Sequence, residues 1–236
     1  MEGEEEKILP VLRRILSKNW SWLKVFPTPE NIRRLFSLGE KALKSLREAL
    51  EEGKEDRRIL PLYNAYKEII STLYSRAGED TLRDLFVRHT LMQMTVLACL
   101  SSLLGEEGDP IDICSGTLLD TNIALPYLNW WKYMREHAGL RRLAADISVR
   151  SGLIDWEFGT EEDVFRELYE VLVEPEVRRS IGEYYTPVWL CDFLLRKFRL
   201  EGRLVLDPFC GSGTFLVTAF HRKVEEGRIP DRLTTR

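Results

Sequence analysis

The chain has 236 residues, 44% of them hydrophobic and 31% charged, with a formal net charge of −4. That balance fits one large globular domain or two small ones and excludes a low-complexity chain. From Pro175 onward 11 basic residues face 8 acidic ones, against 23 and 30 before it, so no segment is basic enough to form a nucleic-acid surface by charge alone.

Taken from the N-terminus, "MEGEEEKILP" is acidic where a secretory signal would be basic and then apolar. "TPENIRRLFSLGEKALKSLREALEEG" predicts one helix with Thr28 as N-cap, Pro29 at its first position and Gly53 as its stop. Ile32, Leu35, Phe36, Leu43, Leu46 and Leu50 fall on one stripe of it. A second helix is predicted around Ile59 to Arg76, with Leu62, Tyr63, Tyr66, Ile69, Ile70 and Leu73 inward and Gly78 ending it. Asp80 is placed to cap a third helix reaching Leu104. Its apolar run Leu91–Leu104 is shorter than the roughly 20 residues a membrane span needs and reads as a buried helix.

"GEEGDPIDICSG" reads as a turn-rich break, followed by shorter helices near Tyr127–His137 and Leu140–Arg150. Thr160 and Asp163 form a capping box for a helix running to Val173, before Pro175. The boundary of an N-terminal helical domain, residues 1–174, is drawn there. His89 within its helix and the pairs Trp20/Trp22 and Trp130/Trp131 read as packing residues. Cys99, Cys114, Cys191 and Cys210 are far apart, with neither a Cys-x-x-Cys nor a histidine at ligand spacing. That points away from a metal site and a disulfide framework, and fits a reducing, cytoplasmic setting.

After Pro187 the pattern changes. "PVWLCDFLLRKF" is helical, "RLVLD" reads as a short strand, and "PFCGSG" leads into a new helix from Thr214. Strand, glycine turn and helix open an α/β nucleotide-type fold. A triphosphate loop needs a lysine directly after the last glycine, and none follows Gly213 until Lys223. A dinucleotide loop needs a third glycine where Leu216 stands. An S-adenosylmethionine site suits the residues better: its ligand carries an ammonium, which the acid Asp207 at the strand end would favour. Gly211 and Gly213 would let the backbone pass close beside it. Taken alone, Asp-Pro-x-x-Gly also fits plain turn chemistry.

"DPFCGSGTFLV" resembles the cofactor loop of the adenine-N6 DNA methyltransferases of restriction–modification systems. "GEYYTP", Gly182–Pro187, resembles the segment that precedes that loop in the family, with Arg178 or Arg179 as its upstream arginine. The close likeness covers about Arg178 to Arg222. A looser one, to the helical region ahead of the catalytic core, covers about Asp80 to Val173 through "DLFVRHTLMQMTVLACL" and "SGLIDWEFGTEEDVFRELYEVL". The first 75 or so residues resemble nothing specific.

The resemblance implies a mainly α chain: a helical N-terminal or connector domain, then residues 175–236 as the first βα unit of a Rossmann-like methyltransferase fold. It implies S-adenosylmethionine as cofactor. Thr186 would contact its methionine end, Asp207 its amino group, and Gly211 and Gly213 its flank. Phe209, Cys210 and Phe215 would line the pocket, and Tyr185, Pro187 and Pro208 complete the matching set. The family's chemistry needs an Asn-Pro-Pro-Tyr loop that grips a flipped adenine. No Pro-Pro occurs in these 236 residues; "LNWW" from Leu128 lacks both prolines and precedes the cofactor loop. The expectation is therefore the N-terminal portion of a DNA adenine-N6 methyltransferase, inactive as given, with no catalytic residue assigned. DNA would be engaged through the complete enzyme, most of whose basic groove lies elsewhere. A separately encoded catalytic or specificity polypeptide is a candidate partner. The alternatives are a non-catalytic helical interaction module or remnant of a split enzyme, and a fragment of an RNA or protein-glutamine methyltransferase.

Overall fold

The computed structural model describes residues 23–73, 78–119, 123–156, 164–172, 185–200 and 202–225. Among them the secondary structure is helical. The N-terminal part comprises α1 (Pro29–Phe36), α2 (Gly39–Glu52), α3 (Leu60–Leu73), α4 (Glu79–Leu103), α5 (Pro110–Ser115), a 3-10 helix (Pro126–Met134), α6 (Ala138–Gly152) and α7 (Val164–Leu172). Two further helices follow, α8 (Val188–Leu195) and α9 (Thr214–Glu225).

The start at Thr28 is as the sequence implies: its hydroxyl accepts the Asn31 amide at 3.3 Å, and Pro29 occupies the first turn. The predicted single helix is, however, two. The chain leaves α1 at Ser37, whose hydroxyl bonds back to the Arg33 carbonyl at 2.6 Å, and restarts at Gly39 with φ 64°. A positive φ at that point suits glycine and breaks the helical ladder, so the stripe of apolar residues is carried over a bend. Ile32, Phe36, Leu43, Leu46 and Leu50 are buried on both sides of it.

α4 is the central helix. Most of its circumference is buried from Leu82 to Cys99, with polar groups among the apolar ones, and Leu85, Phe86, Val87 and Met94 are fully buried. Each such side chain contributes roughly 1.5–3 kcal/mol by leaving water. Thr90 and Thr95 are buried without cost because each hydroxyl donates to the carbonyl one turn back, Phe86 and Leu91, at 2.8 Å. Gly78 is the N-cap residue of this helix, so Asp80 lies inside its first turn rather than capping it. Around α4 pack α2, α3, α5, α6, α7 and the 3-10 helix.

Two more expectations differ. Ile69 is 45% exposed, although the stripe places it inward. Within the expected break, Pro110–Ser115 forms α5: Asp109 accepts the Ile111 amide at 2.9 Å, and Gly116 closes the helix with φ 71°. The expected short helix near Tyr127–His137 forms over Pro126–Met134 as a 3-10 helix interrupted at Asn129. Asn129 and Gln93 are buried against one another at 3.2 Å, the Asn129 amide donating to the Ser115 carbonyl and the Gln93 oxygen accepting the Leu125 amide. That polar knot holds α4 to the chain after α5. "LNWW" thus belongs to the core, with Trp130 and Trp131 fully buried and the Trp130 indole donating to Thr90 at 2.9 Å. His89 likewise packs, its Nδ1 2.9 Å from the Tyr66 hydroxyl.

The predicted strand over "RLVLD" does not form among the described residues. The β-type pairing recorded there is an isolated parallel bridge between Val25 and Ile154. Residues 203–207 have no ladder partner among the described residues, and Leu204 and Leu206 are 103% and 87% exposed. A strand requires a neighbour to accept its hydrogen bonds. α8 packs on α9 around a small second core of Leu195, Leu200 and Ala219, joined by Phe215. The Thr160/Asp163 box, Arg178, Arg179, Gly182–Tyr184, Trp20 and Trp22 lie outside the described residues.

Candidate functional site

The site is built from the ends of α8 and α9. Pro187 is the N-cap residue of α8 and its carbonyl accepts the Leu190 and Cys191 amides at 2.9 and 3.1 Å. Its ring leaves no N–H to satisfy at a helix start. This fixes where the preceding Tyr185 and Thr186 leave the helix axis.

The glycine loop, residues 207–213, folds by its own polar groups. Asp207 Oδ1 accepts the Phe209 amide at 3.0 Å, an aspartate side chain bonding the backbone two residues on. The Gly213 amide donates to the Cys210 carbonyl at 2.7 Å, and the Gly213 carbonyl accepts the Val217 amide at 2.9 Å, opening α9. Gly211 and Gly213 have φ of 55° and 93°, backbone that L side chains rarely adopt. Ser212 and Thr214 hydroxyls meet at 3.2 Å, and Thr218 donates to the Thr214 carbonyl at 2.7 Å. At the far end of α9, Lys223 Nζ donates to the Arg203 carbonyl at 2.6 Å, tying the helix to the extended segment that leads into the loop.

Two stretches about twenty residues apart in the chain meet here. A Cβ built on Gly211 would stand 3.6 Å from Tyr185 Cε1, so the Tyr185 ring of the Tyr-Thr-Pro turn is a neighbour of the loop. Thr186 and Asp207 are half-buried, whereas Pro187, Pro208 and Cys210 are exposed and Phe209 is 93% exposed. Phe215 packs into the small core, so its ring supports the loop from behind. Burial holds the Cys191 thiol above its ordinary range against the opposing charge of Arg166, and Asp207 pushes it further the same way.

Sequence reasoning did not single out Arg166 or Tyr169. Arg166, on α7, donates through Nη1 to the Thr186 carbonyl at 3.3 Å, and its guanidinium carbon lies 5.6 Å from the centre of the Tyr185 ring. Tyr169 meets Tyr185 edge to face with centroids 5.5 Å apart. The i, i+3 spacing of these residues would have placed them on one helix face, but nothing in the sequence tells which segment that face meets.

A separate groove of about 460 Å³, lined by Arg47, Glu48, Glu51, Asp80, Arg83 and Asp84, lies on the helical unit. Its charges pair with one another, Arg47 with Asp84 at 2.6 Å and Arg83 with Glu51, so its wall is an ion network rather than a chemical site. Among the described residues no cluster of His, Cys, Asp and Glu could hold a metal, and no helix is long and apolar enough to cross a membrane.

Residues 160–232 match the family described as N-6 DNA Methylase. The chain is 29% identical over 92 residues to the EcoEI type I restriction enzyme methylase subunit of Escherichia coli, over 38% of this chain and 18% of that protein. It is 36% identical over 76 residues to the MjaIX type I restriction enzyme methylase subunit of Methanocaldococcus jannaschii, over 30% of this chain and 14% of that protein. The likeness thus spans less than a fifth of either relative's length. No solved structure matches. The matched stretch contains α7, the Tyr-Thr-Pro turn and the glycine loop, and over it the chain is similar to the adenine-N6 DNA methyltransferases of restriction–modification systems.

Proposed function

We propose that residues 175–236 are the start of a Rossmann-like methyltransferase domain that binds S-adenosylmethionine, and that residues 1–174 are its helical connector domain. The observation that carries this reading is that the Tyr185 ring stands beside Gly211, 3.6 Å from where a Cβ would be, so the two motif segments are neighbours. The residues present fit the ligand. Asp207 offers a carboxylate that accepts about four hydrogen bonds, of which the Phe209 amide takes one, leaving capacity for an ammonium. The positive-φ glycines present bare backbone where a Cβ would narrow the approach. Thr186 borders the methionine end, and Tyr185, Pro187, Pro208, Phe209 and Cys210 form the rim, with Phe215 beneath. Bound there, S-adenosylmethionine supplies an electrophilic methyl group for transfer to adenine N6 in DNA. The part of these residues is to bind and orient the cofactor; none is assigned catalysis.

DNA is engaged through the complete enzyme, in the manner of a type I methylase subunit. The exposed apolar residues Trp189, Phe193, Leu204, Leu206 and Phe220 around the βα unit suit burial by further polypeptide, either more of the catalytic domain or a separately encoded chain. The unpaired state of residues 203–207 favours a second reading, a non-catalytic helical interaction module. Calorimetric titration of S-adenosylmethionine into the chain separates the two. Asp207→Asn keeps an acceptor for the Phe209 amide and removes the charge, so it is expected to weaken binding at least about tenfold. An affinity unchanged by the substitution, or no binding by a chain of intact helical signal, would put the helical module first.

A further inference from the structure

Where the Tyr-Thr-Pro turn comes beside the glycine loop, a helix of the other unit packs against the turn. α7 is anchored in the helical unit on one side: Glu167 pairs with Arg33 of α1, and the Leu172 carbonyl accepts from the buried Arg88 of α4 at 3.4 Å. Its other side faces the turn. Arg166 Nε donates to Glu170 one turn on at 2.9 Å, which holds the guanidinium plane, and Nη1 then reaches the Thr186 carbonyl at 3.3 Å. The same guanidinium covers the Tyr185 ring at 5.6 Å. One planar cation thus grips the turn by a donor at its edge and by its face, which a point charge on a flexible stem does not do. Tyr169 adds a T-shaped contact to the Tyr185 ring, and its own ring lies 6.3 Å from His89, which is bonded to Tyr66 in the main core. Neighbouring rings run from Tyr66 through His89 and Tyr169 to Tyr185, which stands beside Gly211.

We infer that Arg166 and Tyr169 are positioning residues of the cofactor site: the helical unit, through α7, sets the Tyr185–Thr186 turn against the glycine loop. The proposal deepens the S-adenosylmethionine reading and rests on it for its functional consequence, but the clamp itself exists without ligand. Neither residue touches the reacting atoms. Each acts through Tyr185 and the Thr186 carbonyl, so the helical unit is a part of the binding site's geometry rather than a separate module.

The test is NMR on the ligand-free 236-residue chain. Wild type is expected to show a cross-peak between the Tyr185 ring and the Gly211 α-protons. Arg166→Met and Tyr169→Leu are expected to lose it and to move the Gly211 and Gly213 amide signals, while the Trp130 indole signal and the helical circular dichroism stay unchanged. Tyr169→Phe keeps the ring and is expected to keep the cross-peak. Its absence from wild type, or its persistence in both Arg166→Met and Tyr169→Leu, overturns the proposal. Titration of S-adenosylmethionine follows the same variants, with affinity expected to fall about tenfold in Arg166→Met; an affinity within about twofold of wild type would also overturn it. If wild type itself binds none, the reading of the ligand fails, while the cross-peak still decides the clamp.

Discussion

At Gly213 the backbone turns through φ 93° and nothing stands within 4 Å of where a Cβ would be. The constraint there is the backbone, not space. An alanine costs about 1–2 kcal/mol of loop stability through its Cβ and the adjoining carbonyl. Gly213→Ala is therefore expected to lower hydrogen-exchange protection of the Val217 amide, whose acceptor is the Gly213 carbonyl, by about a factor of ten. At Gly211, with φ 55°, a Cβ would meet the Tyr185 ring only at an ordinary 3.6 Å, so there too the backbone is the constraint. The buried Cys99 and the exposed Cys210 show a dependence on setting: burial pushes the Cys99 thiol up and makes it inert, while Cys210 sits at the loop surface.

Between elements, the helical unit is tied by charged groups that reach from one helix to the next. Asp84 on α4 accepts from Arg47 of α2 at 2.6 Å and from Arg88 of its own helix at 2.6 Å. Arg88 is itself buried and continues to the end of α7. Burial is the largest single influence on the Asp84 carboxyl and pushes it up. The hydrogen bonds from Arg88 and Arg47 together outweigh that, so it lies below the usual carboxylate range. A carboxyl depressed on folding contributes stability that is full above its unfolded pKa of about 3.9 and is lost as pH falls through the folded value. Urea denaturation is expected to show Asp84→Asn less stable than wild type at pH 7, by an amount of order 1–3 kcal/mol. The gap should close as the pH is taken below about 4. A gap constant with pH would mean that packing, not the ion pairs, holds α2 and α7 to α4.

On the scale of the molecule there are two cores of unequal size. The large one gathers residues from Ile32 to Leu172 and includes Trp130, Trp131 and Phe86, all fully buried. The small one has Leu195, Leu200 and Ala219, with Phe215 packed on it, and leaves Leu204 and Leu206 in water. Buried apolar area scales the free energy available to each, so the two should open separately. Hydrogen exchange on the whole chain is expected to show α4 amides protected to the global limit and α8 and α9 amides exchanging faster by orders of magnitude. Equal protection in α4 and α9 would show instead that the units fold as one. The same inequality leaves apolar groups around the small core, Trp189, Phe193, Leu204 and Leu206 among them, exposed.

The sequence alone determined what local chemistry controls. Thr28 and Pro29 start a helix wherever they stand before an amphipathic run, Pro187 starts another, and the acid–glycine loop carries its own turn and αL requirements. The Tyr-Thr-Pro turn and that loop were recognisable as types, and their order pointed to the family. Tertiary structure decided the rest, because it depends on groups distant in the chain. The bend at Ser37–Gly39 directs one apolar stripe onto two sides of the core, and a helix rather than a loop forms at Pro110–Ser115 because Asp109 caps it and its apolar residues find α4 and α6. The run over 203–207 has strand-forming residues yet no ladder, since a strand's backbone groups are satisfied only by a neighbour. The pairing of Arg166 and Tyr169 with Tyr185 joins residues whose partners no periodicity names; only the packing of α7 against α1 and α4 fixes which way that helix face is turned.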